Sequence, residues 1–228
     1  MPSDTDYTRM KRLADLALAH GTAFAYAPWL LAKGGGLKAQ AKSALGTFLA
    51  EAQAWPETVR RDFIVWLDRA RQEFNDRKAI TPHPVMTKLV LPTLQVWIAN
   101  EPDAAWPHIL LGRFHDWKLD AVPPEVHFRA ALRRDPAITE AQRGLAFALV
   151  DIVEYNQHHL PGAYFGDRAE DVARMDEVLI LSGAVPDAGE SAWLNRRART
   201  LRGHAAGETV SLGAASYPFD TGRPQSSP

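Results

Sequence analysis

The chain contains no cysteine, which excludes a disulfide framework, a thiolate metal site and a cysteine nucleophile together. It also lacks any unbroken apolar run approaching the roughly 18 residues that mark a membrane-spanning helix. Charge of one sign is missing as well. Lys plus Arg total 26 against 27 Asp plus Glu, so no net field favours wrapping nucleic acid or an anionic membrane. No Gly-X-Ser-X-Gly turn presents a nucleophile. The one glycine run, Lys33-Gly34-Gly35-Gly36, has no preceding strand and no closing Gly-Lys-Ser/Thr. It therefore reads as a turn between helices rather than a phosphate cradle, and no cofactor is expected.

What is present is apolar material in helical order. Hydrophobic residues make up 46% of the 228, ample for a core. Asp4 to Ala25 reads as a first helix with Tyr7, Met10, Leu13, Ala14 and Ala17 at helical spacing, ending near Pro28. Lys11-Arg12 ahead of an Ala-rich run has the outline of an export signal, but Asp15 and His20 interrupt it. An amphipathic helix and a cytoplasmic location are the expectation. The glycine run then opens a helix striped by Leu37, Ala41, Ala44, Leu45, Phe48, Leu49 and Ala52. Pro56 to Arg77 buries Phe63, Trp66, Leu67, Ala70 and Phe74, with Asp68 and Arg71 among the charges of a solvated face. Val85 to Asn100 is apolar almost throughout, and Pro92 should kink or split it.

Further on, helices are expected over Asp103 to Lys118, Pro123 to Arg134, Thr139 to Tyr155, Asp167 to Leu181 and Gly189 to Gly203. Capping boxes are expected at Thr139/Gln142 and Asp167/Glu170. In the last helix Trp193, Leu194, Ala198 and Leu201 are placed to cover an exposed end. Beyond Ala206, Gly, Ser and Pro dominate, and residues 206–228 are expected to form a mobile or surface-draped tail.

A self-similarity organises the centre. Leu111-Gly112 and Leu145-Ala146 lie 34 residues apart, as do Pro102 and Pro136, an interval typical of stacked helix-turn-helix units. With Phe128 and Pro136 in register, the segment resembles the tetratricopeptide repeat family, although His108, His115 and Pro124 stand where that family places Trp, Tyr and Ala. The resemblance is clearest over residues 85–181. It implies a single all-α domain over residues 1–205, with antiparallel helical hairpins stacked as a short right-handed array, and a groove lined by the first helix of each hairpin.

Projected onto this chain, that groove selects Trp106, Arg113, Asp116, Trp117, Arg143, Phe147 and Asp151 as partner-binding residues. Aromatic and arginine side chains together suit a polar chain or a carboxylate. The family's clamp for a peptide carboxylate uses Asn beside Lys or Arg, and no Asn falls at these positions. A second constellation, Asp151, Glu154 and His158, shares one helical face and could hold a metal with ligands from elsewhere. The expectation is a protein–protein interaction scaffold taking a peptide or protein partner, with no nucleic acid or membrane partner. The alternative is a metal-dependent hydrolase built on residues 151–158.

Overall fold

The computed structural model describes residues 4–74, 79–119, 121–158 and 164–208; the side chains of residues 4–6, 73, 74 and 158 fall outside that description. Every regular element among the described residues is helical, and no helix there is long and apolar enough to cross a membrane. The single helical domain expected over residues 1–205 divides into two compact units, Met1–Pro102 and Asp103–Pro228.

The first unit opens with α1 (Asp4–Ala19), α2 (Ala27–Gly34), α3 (Lys38–Gln53) and α4 (Glu57–Phe74). Here α2 corrects the sequence reading. Pro28 starts this helix rather than stopping the previous one, since it sits in the first turn, where its missing N–H would have no intrahelical acceptor. The glycine run then closes α2 and does not open α3. Gly36 takes φ 71° while the Leu37 amide reaches back to the Ala32 carbonyl at 2.9 Å, a left-handed helix stop that disfavours any residue with a Cβ. Leu13, Ala14 and Ala17 of α1 are fully buried, and a Cβ on Gly34 would fall 2.7 Å from that of Met10, so α1 and α2 meet at close range.

Tyr26 is the hub of this unit's core. Its buried ring lies 4.7 Å from both Trp29 and Phe48 and edge-on to Phe63 at 5.4 Å. Its hydroxyl donates to the Ile80 carbonyl at 2.9 Å, which satisfies the one polar atom such burial would otherwise strand. Asp68 and Arg71 of α4, assigned by sequence to the solvated face, are buried; α4 is covered over a wider arc than its apolar stripe indicates, and Gln72 donates to Asp68 at 2.7 Å. The Phe74 side chain lies outside the described set.

Residues 83–100 form one interrupted helical run: α5 (His83–Val85), a π turn (Met86–Val90) and α6 (Leu91–Asn100). The expected effect of Pro92 takes a specific form. In a regular helix its ring would meet the carbonyl four residues back. The turn just upstream widens by one residue, with the Leu91 amide bonded to the Met86 carbonyl, and Pro92 falls in the first turn of α6. Arg61 then ties α4 to the end of α6: it bonds Glu57 and Glu101 and lies over the Trp97 ring at 4.6 Å.

The second unit holds α7 (Trp106–Phe114), α8 (Pro124–Arg134), α9 (Thr139–His158), α10 (Arg168–Leu181) and α11 (Ala188–Ala205). Each packs on the next, and α7 with α9 and α9 with α11 also touch. The expected capping box at Thr139 is not formed: the Gln142 amide bonds the Ile138 carbonyl, and the Gln142 side chain donates to the Pro136 carbonyl. At α10 the Asp167 half of the box is present, its carboxylate accepting from the Ala169 and Glu170 amides at 2.7 and 3.0 Å. Asp187 caps α11 in the same way, from the Glu190 amide. The tail expected at 206–228 lies, from residue 209 onward, outside the described residues.

Three helices meet on one ring. Phe128 of α8 lies against Gly112 of α7 and Gly144 of α9, so tightly that an added Cβ would sit 2.7 Å from its ring at 112 and 2.3 Å at 144. Gly144→Ala is therefore expected to destabilise the chain by about 2 kcal/mol or more, as overpacking does. Gly46→Ala, in α3 with open space around it, should stabilise by roughly 1 kcal/mol. Urea unfolding of the two variants checks both signs, and a neutral Gly144→Ala would show that the three-helix contact is not close-packed.

Candidate functional site

The residues singled out for partner binding fall into two groups. On α7, Trp106 is half-buried and the Arg113 guanidinium lies over its ring at 5.6 Å; the two are seven positions apart, two turns of one face. The helix was expected to run on to Lys118 but stops at Phe114, because His115 takes φ −48°, ψ 130°. Asp116 and Trp117 thus leave the helical face. Asp116 instead closes a turn, accepting from the Lys118 amide at 3.0 Å through its side chain and from the Leu119 amide at 2.8 Å through its carbonyl. Trp117 stands 73% exposed, with the Lys118 ammonium 5.3 Å from its ring centre.

On α9, Arg143 and Phe147 meet α11. The Arg143 guanidinium forks onto the Glu190 carboxylate at 2.5 and 2.6 Å and lies over the Phe147 ring at 5.1 Å. Phe147 stacks on Trp193 at 5.7 Å. Further along, Glu154 accepts from Arg197, and Gln157 donates to the Leu201 carbonyl at 3.0 Å. The order of these rungs makes α9 and α11 run side by side in the same direction. Trp193, Leu194, Ala198 and Leu201 are all buried, as expected of that face of the last helix.

The α11 partners Glu190 and Arg197 were missed from sequence, and the reason is countable: they follow Arg143 and Glu154 by 47 and 43 positions, not 34. The interval that aligns α7 with α9 is lost before α11. Of the metal alternative, Asp151 is exposed on α9, Glu154 is engaged by Arg197, and the side chain of His158 lies outside the described set. Among the described residues no group of three or more His, Asp or Glu could hold a metal ion.

A second polar cluster also escaped the sequence reading. Asp171 of α10 is fully buried. Its carboxylate accepts from Asn156 at 3.1 and 3.0 Å, from the Tyr164 hydroxyl at 2.7 Å and from Arg174 at 2.7 Å. Burial first, and the bond to Asp171 second, push the Tyr164 hydroxyl up to about 12. Arg168 covers that ring at 4.2 Å and donates to the His204 carbonyl near the end of α11. A Cβ at Gly166 would lie 2.3 Å from the Asn156 amide nitrogen. The cluster is closed on itself and knots the ends of α9 and α11 to the start of α10. The only sequence signal was phase: Asp171 precedes buried Met175 and Val178 by four and seven positions.

No protein-family model, curated protein or solved structure matches the chain.

The Arg143–Glu190 fork is the rung best suited to measurement, since the Glu190 side chain is only 8% exposed. Arg143→Leu would strand that carboxylate in a low-dielectric site and is expected to cost about 2 kcal/mol, while the double variant with Glu190→Leu recovers most of it. A double-mutant cycle by urea unfolding checks this. Equal and additive losses would mean the two charges act independently.

Proposed function

We propose that this chain is a partner-binding scaffold without catalytic activity, whose second unit stacks its helices in tetratricopeptide-like hairpins and takes a peptide or protein segment against α7. The observation that carries the reading is Trp117, a large indole 73% exposed on a turn that is held at both its backbone and its side chain by Asp116. A pre-formed exposed indole binds with little ordering cost, which is why tryptophan dominates interface hot spots. Trp106 and Arg113 extend the surface along α7, and Asp151 extends it onto α9, where Arg143 and Phe147 border it while engaged with Glu190 and Trp193 of α11.

The pattern of packing supports the stacked-hairpin part of the proposal. Alternate helices touch as well as consecutive ones: α7 meets α9, and α9 meets α11. On the other layer Arg129 of α8 forks onto Glu177 of α10 at 2.8 and 2.6 Å. Two layers of first and second helices would give this arrangement. The chemistry of the ligand follows from an internal example. Arg143 donates to a carboxylate of α11 and Phe147 stacks on an indole of α11, so a segment carrying a carboxylate beside an apolar or aromatic side chain suits the similar cation and aromatic surface of α7.

Selection of displayed random peptides on the full chain tests this. Enriched peptides are expected to bind the Trp117→Ala variant at least about tenfold more weakly, with its melting temperature unchanged within about 2 °C. An Ile180→Ala control, on an exposed residue of α10, should bind normally. Peptides that bind Trp117→Ala as tightly as the unaltered chain, or a selection that enriches nothing, would overturn the reading.

A further inference from the structure

We propose that His108 is an acid-responsive latch of the α7–α8 pair: protonation drives its imidazole out of the helix interface and loosens the first turns of α7, carrying Trp106 with them. The proposal stands on placement. His108 lies in the first turn of α7, whose N-cap, Ala105, offers no side-chain cap. The turn is held by packing and by the His108 and Ile109 amides on the Ala105 carbonyl, at 3.1 and 3.2 Å. The His108 side chain is 9% exposed, and among the described residues neither ring nitrogen has a hydrogen-bond partner.

A neutral imidazole carries one donor and one acceptor, so in the packed state both are unmet. Protonation turns the acceptor into a second unmet donor and adds a charge that burial disfavours. The surroundings oppose that charge further. Among the described residues the groups acting on His108 are Arg134, His127 and Arg133, all of α8; α9, which also packs on α7, adds none among them. Arg133 and Arg134 occupy the last turn of α8, where the helix dipole favours cations, so their charge is a fixture of the site. Burial first, and these cations after it, push the imidazole down from 6.5 to about 4.

The sign follows from linkage. An imidazole lowered in the packed state takes up a proton on opening, so opening becomes easier as pH falls from about 6.5 toward 4, changes no further below that, and is unaffected above it. Between pH 7.5 and pH 5 the opening equilibrium should rise on the order of 30-fold. The inference does not depend on the partner-binding reading, although α7 carries part of that surface.

Amide hydrogen exchange, expressed as protection factors to remove the intrinsic pH dependence, tests it on the full chain. Protection over Ile109–Phe114 is expected to fall on the order of 30-fold from pH 7.5 to pH 5, that of the α10 and α11 amides to fall far less, and the drop over α7 to vanish in His108→Leu. Should His108→Leu fail to fold, Arg134→Gln provides the second arm: the His108 imidazole, followed by NMR, should titrate closer to its ordinary range and the drop in α7 protection should shrink. Equal loss of protection across the whole second unit, persistence of the drop in His108→Leu, or an Arg134→Gln chain that titrates and opens like the unaltered one would overturn the proposal.

Discussion

The second unit depends on the absence of a Cβ at two positions. Phe128 lies on Gly112 and Gly144 at distances no alanine could accept, so three helix backbones converge on one ring. The ring, 4% exposed, fills the space that two side chains would otherwise occupy, and close packing of this kind leaves little freedom to slide. Glycine is a poor helix former, costing about 1 kcal/mol against alanine. Two of them in adjoining helices are reasonable only where dispersion contacts with an aromatic face compensate. Because α7 and α9 are positioned by the same ring, the residues each presents outward are positioned relative to one another. This is how a packing constraint becomes a constraint on the surface.

From α9 outward the unit is held by a different kind of contact. Arg143 with Glu190, Phe147 with Trp193, and Glu154 with Arg197 lie in sequence along α9 and α11, alternating charge pairs with an aromatic stack. A fork between arginine and carboxylate has a fixed planar geometry, so these rungs set the register of the two helices where apolar packing alone would tolerate a shift. The first unit solves the same problem with aromatic rings around Tyr26, whose single hydroxyl is used on the Ile80 carbonyl. In both units the specific contact is polar and the bulk of the burial is apolar, the usual division between what fixes a structure and what drives it.

Helical identity was legible because it rests on local periodicity, and so were the inward face of α11, the Asp167 cap and most of the inward face of α3, whose expected first member, Leu37, precedes the helix and is 48% exposed. The 34-residue interval pointed to Gly112 and Phe128, which do meet. Ala146, 34 positions after Gly112, is buried as well, while Gly144, the second glycine under the ring, was not singled out. Boundaries were less legible, and each for a physical reason. Pro28 is compatible with both an end and a beginning, since its missing N–H is harmless only in a first turn. His115 carries no sequence mark of the extended backbone that ends α7 and frees Trp117. Pro92 announced a distortion but not the widened turn that absorbs it. The polar clusters were least legible, because Asp68, Arg71 and Asp171 have the composition of surface, and the pattern of one helix does not show which of its polar positions its neighbours cover.

Two buried titratable side chains show how differently the fold treats polarity. Asp171, with no exposed surface, is answered by Asn156, Tyr164 and Arg174, and Gly166 keeps clear the space in which Asn156 reaches it. His108, almost as buried, is answered on neither ring nitrogen by any described residue and is opposed by the cations of α8. An isosteric apolar residue would pack as well at position 108 and would leave no group unsatisfied. A satisfied buried network stiffens the place where it sits, whereas an unsatisfied group lowers the cost of opening there. The knot around Asp171 closes the ends of α9 and α11, far along the chain from the first turn of α7. The satisfied network and the unsatisfied imidazole thus sit on different helices of the unit, and the imidazole is on the helix that carries Trp106.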